Sequence, residues 1–152
     1  VHFLFIGAPV PGDEKRVDFL KERIEKLNLS GFFTFTGFIA EKSKIWENTD
    51  ITVLPSIHPE SFGMVVIESW AAKKPVVAAN HGGPSEIISH GETGLLFTPK
   101  DSESLANALE RLITDEKLLK RLQESSREIF LKSFSSDSYA QNIESAIIDT
   151  LS

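Results

Sequence analysis

At 152 residues, with 41% hydrophobic and 25% charged side chains, the chain has the size and composition of one globular domain with a core of its own, which excludes a disordered tract. It contains no cysteine, which removes a disulfide scaffold, a thiol nucleophile and any cysteine-based zinc or iron–sulfur site. A formal net charge of -6 speaks against a nucleic-acid partner, and no apolar run approaches the ~20 residues that span a bilayer, so a soluble domain is expected; the absence of cysteine permits the cytoplasmic location expected for it.

The chain opens on Val-His-Phe-Leu-Phe-Ile-Gly (1–7), an apolar run ending at a glycine turn, which predicts a buried strand over 2–6. A chain that starts inside a core strand is expected to be a fragment of a longer protein. Residues 13–28 follow with Val17, Leu20, Ile24 and Leu27 at helical spacing and Lys and Glu on the other face. Further strands are predicted over 32–36, 51–54, 75–79 and 95–97, separated by helices over 41–48, 61–73 and 84–90. After Pro99 the pattern is helical throughout. Residues 102–113 are capped by Asp101 or Ser102 and carry Leu105, Leu109, Leu112 and Ile113 on one stripe, and helices over 115–131 and 136–151 complete the chain. Short apolar runs alternating with amphipathic helices predict a Rossmann-like parallel sheet of about five strands, with helices on both faces and carboxyl-terminal helices closing it.

In such folds ligands bind beyond the carboxyl ends of the strands, so the loops there carry the candidate site. The first, Gly-Ala-Pro-Val-Pro-Gly (7–12), lacks the glycine spacing of a dinucleotide fingerprint. The loop after 54 runs Pro55-Ser56-Ile57-His58-Pro59-Glu60-Ser61-Phe62-Gly63-Met64 into a helix. Its prolines keep the backbone extended, Ser61 is a candidate cap, and Gly63 allows close approach to the backbone. Amides at the helix start form an anion site suited to a diphosphate. Glu60 and Glu68, eight residues apart, would sit about 12 Å apart along a continuous helix and about 80° around it. A carboxylate repels phosphate, so two of them beside a diphosphate are expected to accept hydrogen bonds from hydroxyls, as a nucleotide sugar offers. The plainer alternative makes Glu60 a favourable charge at a helix start and Glu68 a solvated helix residue. A second turn, Gly82-Gly83-Pro84, is expected to expose further amides at another helix start.

The ordered series Pro-Ser (55, 56), Glu-x-Phe-Gly (60–63), Glu68, Pro-Val-Val (75–77), Gly-Gly-x-x-Glu (82–86) and Gly-x-x-Gly-Leu-Leu (91–96) resembles the carboxyl-terminal, donor-binding domain of GT-B fold retaining glycosyltransferases, the glycosyl transferases group 1. Weaker similarity extends from Gly7 and Gly37 to the final helices. The resemblance implies a donor that is a nucleotide-diphosphate sugar and no cofactor or tightly bound metal. It makes Glu60 the catalytic-site glutamate contacting the transferred sugar, though not a nucleophile, and gives Glu68 the ribose hydroxyls. Gly63, Met64 and Val65 would hold the diphosphate through their amides, and Phe38 and Ile39 would lie beside the base. Ser56 and Phe62 complete the implied donor-binding set.

The same resemblance implies that a first strand, a basic Arg and Lys pair, and an amino-terminal acceptor domain lie upstream of Val1, so that the isolated chain would be inactive. Peripheral association with the inner face of a membrane would belong to that missing half. Lys73 departs from the family pattern, which commonly has glycine there. A GT-B nucleotide-sugar epimerase and a noncatalytic α/β ligand-binding module are the alternatives. His58, His81 and His90 are read as structural loop histidines, Trp46 and Trp70 as core, and Phe62 as packing beneath its loop.

Overall fold

The computed structural model describes residues 1–151, which fall into two compact units that divide between Asn48 and Thr49. All five expected strands form and all pair in parallel, hydrogen-bonded as a pair and a triplet. In the first unit β1 (Phe3–Ile6) pairs with β2 (Phe33–Gly37), with a register irregularity at Phe5/Ile6. Helix α1 (Glu14–Lys26), a single 3-10 turn (Ser30–Phe32) and α2 (Lys42–Glu47) complete it. In-register rings stack across the strands, Phe3 on Phe33 at 4.9 Å and Phe5 on Phe35 at 4.7 Å. The strand expected to be buried is not: Phe3, Phe5 and Ile6 remain 36%, 39% and 37% exposed. A two-stranded sheet in so short a segment has too few elements to cover both of its faces. For the same reason Trp46 of α2 is only half-buried.

The second unit holds the triplet β3 (Thr52–Leu54), β4 (Val76–Ala79) and β5 (Leu95–Phe97), with β4 central. Because side chains alternate along a strand, β4 feeds two cores. Val77 and Ala79 join Leu95, Phe97, Ala108, Leu112, Leu118 and Leu122 on one face, beneath α5 (Ser102–Thr114) and α6 (Glu116–Ile129). Val76 and Ala78 join Val66, Trp70 and Ile88 on the other, beneath α3 (Met64–Ala71) and α4 (Gly83–Ile87). The expected cap of α5 is Asp101, whose Oδ1 accepts from the Glu103 and Ser104 amides at 3.0 Å. The stripe expected on α5 is narrower than its spacing suggests, since Ile113 is 46% exposed. Helix α6 passes into a π-helical turn (Phe130–Phe134) before α7 (Ser136–Leu151). No helix among the described residues is long and apolar enough to cross a membrane.

Lys73 does adopt the left-handed conformation that glycine usually fills, at φ 58°. Its amide bonds the Trp70 carbonyl at 3.0 Å and the Lys74 amide bonds Ser69 at 2.9 Å, which closes α3 as a Schellman motif. A residue with a Cβ is strained there by roughly 1–2 kcal/mol, partly offset by the unfolded-chain freedom that glycine brings. Lys73→Gly is therefore expected to stabilise the protein by about 0.5–1 kcal/mol, read as a higher urea midpoint with unchanged slope.

Candidate functional site

Strands β3 and β4 are parallel neighbours, so Leu54 and Ala79 end at one edge of the triplet and release their loops side by side. These loops are joined by one backbone and one side-chain hydrogen bond. The Gly83 amide donates to the Glu60 carbonyl at 2.8 Å, and His81 Nε2 donates to the Ser56 carbonyl at 2.8 Å. A Cβ on Gly82 would lie 2.4 Å from the Glu60 carbonyl oxygen, and one on Gly83 would lie 2.4 Å from Phe62 Cα. The Gly-Gly-Pro turn thus does something other than expected. Its Gly83 amide is spent on the neighbouring loop, and its glycines are required because two backbones run in contact. Helix α4 has only five residues, too short to supply the second positive terminus anticipated for it.

The Pro55–Gly63 loop holds Glu60 half-buried, with Ser56 Oγ donating to its Oε1. The start of α3 differs from the expectation in its cap. Ser61 makes no capping bond; Gly63, in the left-handed region at φ 85°, is the cap residue, and the helix begins at Met64. The place a Cβ would occupy on Gly63 lies 3.0 Å from Pro84 Cγ, so this glycine serves the turn and the fit against Pro84. The 12 Å helical spacing therefore does not describe the two glutamates, because Glu60 precedes the helix while Glu68 lies in its second turn, half-buried. The first helical bond runs from the Val66 amide to the Gly63 carbonyl at 2.9 Å, which leaves the Met64 and Val65 amides at the open end of α3.

Ser56, Glu60, Phe62, Gly63, Met64, Val65 and Glu68 thus fall within one loop and the helix it starts. Phe62 does not tuck beneath its loop. It is 42% exposed and meets Phe134 edge-on, with ring centroids 6.5 Å apart. Phe38 and Ile39 belong to the first unit, directly after Gly37 (φ 68°) at the carboxyl end of β2, with Phe38 78% exposed and Ile39 half-buried. His81 is structural, as expected, and so is His90, whose Nδ1 accepts the Leu96 amide at 3.0 Å. His58 is exposed. Sequence reasoning missed the Gly83–Glu60 link and the Phe134 contact, and only the Gly-Gly pair signalled the first.

Residues 1–129 match the family described as Glycosyl transferases group 1. The chain belongs to this family. It is 34% identical over 127 residues to a 2-deoxystreptamine N-acetyl-D-glucosaminyltransferase from Niallia circulans, covering 82% of this chain and 32% of that protein. The crystal structure of Anabaena HepE in complex with UDP and glucose superposes with a TM-score of 0.89 at 30% identity, over 98% of this chain and 41% of HepE. The C-terminal domain of LpcC, a glycosyl transferase group 1 family protein from Francisella tularensis, superposes with a TM-score of 0.81 at 30% identity, over 89% of this chain and 70% of that domain. The chain thus spans less than half the length of the first two relatives. As a group 1 glycosyl transferase chain it has the α/β architecture expected of one half of a GT-B fold.

Proposed function

We propose that this chain is the donor-binding half of a retaining glycosyltransferase that takes a sugar from a nucleotide-diphosphate sugar. The observation that carries the reading is the Glu60–Gly63 loop: a carboxylate held by Ser56 stands immediately before a left-handed glycine that opens the amino-terminal end of α3. Amides at a helix start favour an anion, and a fixed carboxylate beside them favours hydroxyls over a second phosphate. A molecule with hydroxyls flanking a diphosphate fits both. The binding of UDP and glucose by HepE supports a nucleotide sugar as the ligand class.

In this reading Glu60 accepts from the transferred sugar, Glu68 accepts from the ribose, and the Met64 and Val65 amides meet the diphosphate. As the bond from sugar to phosphate breaks, negative charge grows on the departing diphosphate, and amides already oriented toward it stabilise that charge without reorganising. The acceptor site and the remainder of the enzyme are assigned to a further domain of the full-length protein, in the cytoplasm.

Calorimetric titration of the 152-residue chain with UDP, GDP and ADP, and with their glucose conjugates, tests this. One base series is expected to bind saturably. Glu68→Ala should weaken both the free diphosphate and the nucleotide sugar by about tenfold or more, the value of one hydrogen bond to a charged group. Glu60→Ala should weaken the nucleotide sugar alone. Binding of neither ligand class, or equal binding by Glu68→Ala, would overturn the assignment.

A further inference from the structure

The π-helical turn Phe130–Phe134 separates α6 from α7 and lies outside the loop just described. A π-turn closes its hydrogen bonds one residue further along than an α-turn, which rotates the side chains after it relative to an uninterrupted helix. Here the turn ends at Phe134, and the ring does two things at once. It packs against Trp70, fully buried on α3, at 6.0 Å and 59°. It also meets Phe62 in an edge-to-face contact at 6.5 Å and 61°. Phe62 stands two residues after Glu60 and directly before Gly63, so Phe134 ties the body of α3 to the loop that starts it.

The loop is thus held from two directions. Its backbone rests on Gly82 and Gly83, while its one large ring rests on Phe134. Phe62 is 42% exposed, so burial alone does not fix it, and the edge-to-face contact is the specific restraint on that side.

We infer that Phe134 is a positioning residue for the Glu60–Gly63 loop, acting through Phe62 and set in place by the π-helical turn. It does not touch donor in this assignment; it acts through the loop. Its consequence for donor affinity rests on the function proposed above, but its consequence for the loop does not.

The test uses amide hydrogen exchange on the 152-residue chain without ligand, comparing wild type with Phe134→Leu, Phe62→Leu, the double variant, Phe134→Tyr and, as a control in the same turn, Leu131→Ala, whose side chain is 52% exposed. Phe134→Leu is expected to speed exchange over residues 58–66 by about tenfold, the factor that ~1.4 kcal/mol of aromatic contact corresponds to. Strands β4 and β5 should keep wild-type exchange. Phe62→Leu should reproduce the effect, the double variant should add nothing further, and Phe134→Tyr should restore protection. Wild-type exchange in the loop of Phe134→Leu, uniform acceleration that includes β4 and β5, or additive single effects would each overturn the inference. Phe62→Leu keeps the test available should Phe134→Leu fold poorly, since Phe62 lies outside the core. If wild type binds no nucleoside diphosphate and the loop still responds as described, the proposed function fails and the positioning role stands.

Discussion

Gly83→Ala is expected to weaken nucleoside-diphosphate binding by about 5- to 150-fold while leaving the three-stranded sheet folded. The new Cβ would fall 2.4 Å from Phe62 Cα and 2.4 Å from the Phe62 carbonyl oxygen, both of them backbone atoms that no rotamer change can move aside. Either the Gly82–Gly83 turn or the Pro55–Gly63 loop must give way. The turn is anchored, because Gly83 opens α4, and Ile88, directly after that helix, lies in the core with Val76 and Ala78. The loop is joined to it by the Gly83–Glu60 hydrogen bond, which the displacement would also break.

Overpacking of this kind costs about 1–3 kcal/mol where a site can adjust, equivalent to a 5- to 150-fold loss if it falls on the bound state alone. Gly31→Ala makes the matching control, since nothing lies within 4 Å of its Cβ position and its φ is ordinary. Calorimetry on both variants, with circular dichroism to confirm folding, distinguishes the outcomes. Wild-type affinity in Gly83→Ala would show that the loop position is irrelevant to ligand.

The sequence carried most of the fold because its signals were local. Each strand is a short apolar run beside a glycine or proline, and the long helices α1 and α5 carry an apolar stripe that the period of 3.6 reveals. The motif Glu-x-Phe-Gly lies in one stretch and so was readable as a unit. What escaped was set by distant contacts. Ser61 resembles a cap by type, but Gly63 takes that position because Pro84, some twenty residues on, fills the space beside it. The Gly-Gly turn looked like exposed amides because no local pattern says that another loop will consume one of them. Phe134 carried no signal at all, since neither a π-turn nor its aromatic partners on α3 and in the site loop are encoded at a fixed spacing. The exposure of β1 was equally invisible: an apolar strand reads as buried whether or not the surrounding elements suffice to cover it.

Trp70→Ala is expected to produce the largest loss of stability of any single substitution in the second unit. The indole is fully buried between α3 and the sheet, in the cluster with Val66, Val76, Ala78 and Ile88, and it also supports Phe134. Truncating a buried tryptophan costs about 3–5 kcal/mol, a large part of the 5–15 kcal/mol that typically holds a domain together. One feature reduces that loss. The Trp70 indole N–H is buried without an acceptor among the described residues, and an unsatisfied donor costs about 1–3 kcal/mol in the native state. Removing the ring removes that penalty too. Trp70→Phe separates the two effects, because it keeps most of the apolar contact and deletes the orphan donor. Urea unfolding should therefore place Trp70→Phe well above Trp70→Ala and within about 2 kcal/mol of wild type. Equal destabilisation by the two would mean that the indole N–H carries a favourable interaction, and that the packing around Trp70 is tuned to the full width of the ring.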